Sequence, residues 1–233
     1  MESLLGAPMP LDNESLMTPR RTRFVPIIVM LSSAGPALAH RDDTQVWFGE
    51  SIVAPLDATT TIGLDTSQRL RESRIGADQY LARLSIDRKI AKGVEIGVGF
   101  TWQGTGRFNE YRPHQQIILT QGIFALRTRL EERMIDGVDD MVWRLRERLQ
   151  ILAPLDETKR WTAVISGEGF FHLNRTPVAP LTGLVMVRTQ IGLRRQLSDK
   201  LMLGLVYQRQ QQMVPGGADI VNHAPVMTLA VRF

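Results

Sequence analysis

An all-β, antiparallel transmembrane β-barrel of about 10–12 strands, following a cleaved signal peptide, is the fold class that this sequence predicts. Three observations predict it. From Gln45 onward the apolar residues recur mostly with a period of two, the side-chain repeat of a strand and not of a helix. The segments so defined are long, and short and long connections alternate between them, as in barrels of outer membranes. Beyond residue 39 no run of 18 apolar residues occurs, so no helix is long enough to span a bilayer. A closed barrel is the other structure that satisfies every backbone group there.

The amino-terminal stretch reads as an address. Arg20, Arg21 and Arg23 precede an apolar segment, 24–31, and then small residues ending in Ala37-Leu38-Ala39. Positive, apolar and A-x-A parts in that order make a secretory signal. Cleavage after Ala39 leaves a mature chain starting at His40, so the expected division is a signal peptide over 1–39 and an outer-membrane barrel over 40–233. Residues 1–16 carry Glu2, Asp12 and Glu14 where a signal should be basic; Met17, followed by Thr-Pro-Arg-Arg, is the more natural start. The alternative reading of 24–31 is a buried apolar strand after a basic loop.

Composition narrows the chemistry. A chain of 233 residues has room for one large domain or two small ones. It contains no cysteine, which excludes disulfide frameworks, thiolate metal sites and cysteine nucleophiles. Of its 28 basic residues, 24 are arginine and 4 lysine. Arginine is the residue suited to crowded, bidentate ion-pair networks. The sequence pI of about 9.8 would permit a nucleic-acid partner, but the arginines form no run and no recognition motif, so none is expected.

The expected strands are 45–54, 58–70, 78–90, 94–103, 113–120, 123–134, 140–152, 160–172, 183–196, 200–212 and 224–233. In 94–103, Val94, Ile96, Val98, Phe100 and Trp102 share one face, and Glu95, Gly97, Gly99, Thr101 and Gln103 the other. Short connections are expected at 55–57, 91–93, 120–122 and 197–200, and long ones at 104–112, 173–182 and 214–223. All four lysines (Lys89, Lys92, Lys159, Lys200) fall at the short-connection end. The last strand places Pro225, Met227, Leu229, Val231 and Phe233 on one face. With its aromatic final residue it resembles the closing strand of a Gram-negative outer-membrane barrel. Eleven segments conflict with the usual even number of bacterial strands. The expectation is therefore ten or twelve, with 113–120 the weakest segment and the stretch before Val46 a candidate extra strand.

The densest pattern is Arg127-Thr-Arg-Leu-Glu-Glu-Arg133, followed after a turn by Trp143-Arg-Leu-Arg-Glu-Arg-Leu149. On alternating strands Arg127, Arg129, Glu131 and Arg133 share a face, as do Arg144, Arg146 and Arg148. Together with Tyr111-Arg-Pro-His-Gln-Gln116, Glu168-Gly-Phe170 and the strand bearing Arg188 and Arg194, this order of motifs resembles the bacterial domain-of-unknown-function family 2490. The resemblance runs from about Gln45 to Phe233. It implies an outer-membrane barrel without an agreed activity.

About ten arginines are expected inside: Arg83, Arg127, Arg129, Arg133, Arg144, Arg146, Arg148, Arg188 and Arg194, with Arg69 a further candidate. The expected partners are Asp65, Asp87, Glu95, Glu131 and Glu168, since unpaired charges in a dry interior are prohibitive. The ladder can be salt-bridged filler, a basic water-filled constriction that favours anions, or a pocket for an acidic ligand such as a carboxylate, a phosphate or a lipopolysaccharide headgroup. Trp102, Trp143, Trp161, Tyr207 and Phe233 suit an aromatic girdle, although the core of a soluble sandwich would also use them. Glu147 departs from the pattern, lying on the face of Trp143, Leu145 and Leu149; Glu132 raises the same question.

Catalytic chemistry has little support. His40, His114, His172 and His223 show no metal-ligand spacing, and the last three are expected at the extracellular side. Ser166 and His172 lie roughly 20 Å apart along one strand. No metal or cofactor is expected. The function expected is an outer-membrane barrel, structural or weakly anion-selective. The alternative is an outer-membrane enzyme or binding protein for lipid, lipopolysaccharide or another acidic ligand. Expected partners are outer-membrane lipid, the barrel assembly machinery acting on the last strand, and small anions.

Overall fold

The computed structural model describes residues 41–71 and 76–233; the expected signal peptide and its cleavage site lie outside the described residues. The strands are β1 (Arg41–Pro55), β2 (Thr60–Arg71), β3 (Gln79–Ala91), β4 (Val94–Thr105), β5 (Asn109–Gln121), β6 (Phe124–Ile135), β7 (Val142–Pro154), β8 (Trp161–His172), β9 (Gly183–Gln196), β10 (Leu201–Gln212) and β11 (Ile220–Arg232). Each pairs antiparallel with the next, and β1 pairs with β11 to close the barrel. No strand is shorter than 12 residues, longer than the 5–6 typical of soluble sheets. Among the described residues no helix is long and apolar enough to cross a membrane, which says nothing of strands.

The expectation of ten or twelve strands is corrected to eleven. The segment around 113–120 is a full strand, β5, and the stretch before Val46 extends β1 without adding another. An odd up-and-down meander leaves its first and last strands running the same way. Closure then requires one parallel ladder, which β1 and β11 form from Arg41↔Ile220 to Val53↔Arg232. Parallel bonds are slanted but still consume both edges, so the barrel has no free edge.

The connection 104–112 also differs from expectation. β4 runs on to Thr105 and β5 starts at Asn109, joined by 106–108. The Thr105 amide donates to the Phe108 carbonyl at 3.0 Å, Trp102 Nε1 donates to Asn109 Oδ1 at 3.1 Å, and the Phe100 and Tyr111 rings stack at 6.2 Å. These contacts carry the ladder further than a Gly-rich sequence suggests. At the opposite end the turns are tight. Gly93 and Gly122 take positive φ of 72° and 59°, as two-residue hairpins require. Between β1 and β2, Asp57 Oδ1 accepts from the Thr59 amide at 2.7 Å and the Thr60 amide at 2.8 Å. These bonds, led by the Thr59 amide, hold the carboxyl below its ordinary range.

Burial is inverted relative to a water-soluble sheet protein. Glu131 and Arg129 are 2% and 3% exposed, whereas Val98 and Leu205 are each 56% exposed. Leu229 is exposed on the same outer face, so the apolar faces are not turned against one another as a soluble sandwich would require. Outward acids each take a hydrogen bond from the neighbouring strand. Glu147 accepts from Thr128 Oγ1 at 2.8 Å, Glu132 from Gln115 Nε2 at 3.3 Å, and Glu50 from Thr66. No bulge accommodates Glu147, whose register partner is Thr128.

Interior glycines make room for charged neighbours. A Cβ at Gly99 would lie 2.6 Å from both the Leu84 carbonyl oxygen and the His114 ring. Gly99→Val should therefore lower stability by about 1–3 kcal/mol, the usual cost of overpacking, read as a fall in the urea midpoint of tryptophan fluorescence.

Candidate functional site: a buried arginine network

Sheet register aligns the charged residues into rows across the interior wall. Arg127 faces Arg148, Arg148 faces Glu168, and Glu168 faces Arg188. One step along, Arg129 faces Arg146; beyond that, Glu131 faces both Arg144 and His114. Like charges directly opposite repel, so the two glutamates determine whether the rows are tolerable.

Both glutamates are fully engaged. Glu168 Oε1 accepts from Arg127 at 2.6 Å and from Arg146 at 3.0 and 2.7 Å, and Glu168 Oε2 lies 3.5 Å from Arg188. Glu131 Oε1 accepts from Arg146 at 2.6 Å, and Glu131 Oε2 accepts from Arg144 through Nε at 2.8 Å and also through Nη2. Arg129 stands 3.8 Å from Glu131 and donates twice to Gln116 Oε1, at 3.1 and 2.7 Å. Phe170 lies beneath the guanidinium groups of Arg144, Arg146 and Arg188, at 5.5, 4.5 and 5.0 Å, a cation–π floor for the network.

Two further arginine–carboxylate groups line the interior, that of Glu110 nearer the long-loop end. Glu110 holds Arg112 through a two-pronged contact of 2.7 Å each and also accepts from Arg133. Arg83 donates to Asp65 at 3.0 and 2.8 Å. Of the other expected partners, Asp87 takes Gln116 in place of an arginine; among the described residues no arginine reaches Glu95. Glu110 and Arg112 were hidden because 104–112 reads as a loop; the alternation Glu110, Arg112, His114, Gln116 is the signal that reveals them. Asp43, which pairs with Arg71 at 3.2 Å, lies just before the expected start of the first strand.

All ten residues of the expected ladder lie on the interior face. Arg127, Arg129, Glu131, Arg133, Arg144, Arg146, Glu168 and Arg188 join in ion pairs, while Arg148 and Arg194 make no hydrogen bond among the described residues. Arg127 Nε, Arg129 Nη1, Arg148 Nε and Arg69 Nε are buried without a protein acceptor. Beside the network an interior cavity of about 750 Å³ is lined by Trp47, Asp65, Arg69, Arg83, Glu110, Arg112, Arg133, Arg144, Arg146, Phe170 and Arg188. Seven arginines line it against four acidic residues (Glu50, Asp65, Glu110 and Asp136), so its field favours anions.

The aromatic residues stand on the outer face, all but Tyr207 near the two ends. Trp102 and Trp143 lie toward the longer loops and Trp161 and Phe233 toward the tight turns, whereas Tyr207 sits mid-strand in β10, away from the girdle position expected of it. The guanidinium of Arg195 covers Trp161 at 5.0 Å and the ammonium of Lys200 covers Phe233 at 5.5 Å. Among the described residues the histidines do not assemble a site. His114 is not at the strand end expected for it but mid-strand, 1% exposed, packed over Gly99, because β5 begins four residues earlier than expected. His172 points inward to Arg133 at 3.1 Å; His223 points outward to Tyr207. Ser166 Oγ donates to Gln190 and to no histidine.

Residues 44–221 match the family described as protein of unknown function DUF2490. The chain belongs to that family. It is also similar, at 25% identity over 92% of this chain and 99% of the other, to an uncharacterized protein of Methylorubrum extorquens. No solved structure matches the chain. Within this DUF2490 barrel, Glu168→Ala leaves Arg127, Arg146 and Arg188 short of a counter-charge. It should cost about 3–5 kcal/mol, the penalty for breaking a buried pair from one side, seen as a lowered urea midpoint; Arg194→Gln, which breaks no ion pair, should change it little.

Proposed function

We propose that this DUF2490 protein is an outer-membrane β-barrel whose arginine-rich interior binds and selects anions. The observation that carries the reading is the inverted burial: Glu131 and Arg129 are inside while Val98 and Leu205 are outside. Water would penalise the outer face and lipid rewards it, at roughly 25 cal/mol per Å² of apolar surface removed from water. The closed ladder removes the backbone objection to lipid, and aromatic residues near both ends suit its two interfaces. The lysines at the tight-turn end fit an inner-leaflet face.

The ion-paired rows narrow the interior but do not neutralise it. Arginine side chains lining a wet constriction attract anions and repel cations. Small anions, or the carboxylate or phosphate of a larger molecule, lipopolysaccharide included, are the ligands this chemistry accepts. Enzyme chemistry gains no support, because His172 and His223 lie on opposite faces of the wall.

Fractionation with the outer membrane, and faster gel migration of unheated than of boiled protein, are the expected results; recovery in the soluble periplasm after osmotic shock would sink the membrane reading. In planar bilayers the expected result is small conductance steps that prefer chloride to potassium, and cation preference would count against anion selection. Leu205→Arg should destabilise the barrel by about 2–4 kcal/mol in lipid, the cost of a charge on a lipid-facing strand. An effect within about 0.5 kcal/mol would mark that face as a water-exposed surface instead.

A further inference from the structure

The parallel seam between β1 and β11 is one of the interruptions in the wall, as are the β5–β6 ladder at Pro113 and the register shifts of β3–β4 and β8–β9. Thr44 pairs with His223 and Trp47 with Val226, but Gln45 and Val46 have no ladder partners across the seam, and neither do Ala224 and Pro225. Pro225 has no amide hydrogen to give, and a proline inside a sheet belongs at an edge or an interruption. The interruption coincides with a break in the chemistry of the interior. Trp47, Ala224 and Val226 form a buried apolar cluster with Val206 packed against it, beside the arginine-rich interior.

Two cavities share lining residues here. One is the arginine-lined interior space of about 750 Å³; the other is an apolar pocket of about 290 Å³, lined by Val46, Leu205, Tyr207, Pro225 and Met227. Trp47 and Val226 line both. On the interior side the Trp47 ring carries the guanidinium of Arg69 at 4.1 Å and that of Arg188 at 5.5 Å, and Arg69 Nε has no protein acceptor. The unpaired ladder positions thus lie where an outward apolar pocket and the arginine-lined interior share Trp47 and Val226.

We infer that this seam is a lateral binding site for a single-chain anionic amphiphile, a long-chain carboxylate. Its head group lies against Arg69 and Arg188, and its alkyl chain passes Trp47 and Val226 into the seam pocket. Charge complementarity selects the head group, and burial of methylene groups at about 0.8 kcal/mol each selects the chain. The inference rests on the membrane-barrel reading above and names the ligand class that such an interior would take.

The test uses the full chain folded in non-ionic detergent, with W102F, W143F and W161F leaving Trp47 as the sole tryptophan. 12-Bromododecanoate should quench Trp47 saturably. The neutral 1-bromododecane should need at least tenfold higher concentration, and R69Q/R188Q should weaken bromododecanoate binding tenfold or more. A Cβ at Gly49 would lie 3.5 Å from Thr228 Cγ2 across the same seam, and the chain has no native cysteine, so G49C/T228C provides a reversible lock. Oxidation should slow quenching at least tenfold and reductant should restore it. Unsaturable quenching of Trp47, equal response to the neutral chain, or indifference to the lock in a barrel that still migrates faster unheated would each overturn the lateral site. Loss of heat-modifiable migration in the unlocked protein would overturn the membrane reading itself, and this inference with it.

Discussion

Two carboxylates, Glu131 and Glu168, make the interior possible. Each is nearly inaccessible and each sits among several guanidinium groups. The strand register sets arginine opposite arginine in two successive rows, an arrangement that would push adjacent strands apart without a shared counter-charge. Arg146 reaches both carboxylates and links the rows into one network. Buried ion pairs are weak sources of stability compared with apolar packing. In this barrel, however, the apolar residues are on the outside, so the network is what fills and organises the interior.

The outer face answers to the same constraint. A wall of alternating side chains that turns charge inward must turn Val98, Leu205 and Leu229 outward, and the few outward acids are each capped by a polar group on the next strand. Glu147 with Thr128 and Glu132 with Gln115 are lateral pairs, absent from any single strand's sequence. Closure depends on the parity of the strand count. Eleven strands leave the parallel β1–β11 seam, and that seam gathers the proline, the unpaired ladder positions and the apolar cluster around Trp47. This interruption in the ladder is also where an outward apolar pocket and the interior cavity share lining residues.

Much of this was legible along the chain. Period-two alternation located all eleven strands, since a one-residue slip would turn every charge toward the apolar side. It also assigned Arg127, Arg129 and Glu131 to one face and Trp102 and Leu229 to another. The loop-like stretch 104–112 misled because Gly104, Thr105 and Gly106 are turn residues by composition, whereas cross-strand contacts of Trp102 and Phe100 extend the ladder over part of them. The misplaced boundary hid Glu110 and Arg112 and displaced His114 from mid-strand to an edge.

By itself the sequence determined the strand period, the inward set of arginines and the membership of the DUF2490 family, because these depend on side-chain order along one strand. The tertiary structure alone decided which charges meet, that eleven strands close through a parallel pair, and that Trp47 and Val226 lie between two cavities. Those outcomes depend on register and closure between strands far apart in the chain. Glu168 lies 41 residues from Arg127, and no local pattern announces that separation as a contact.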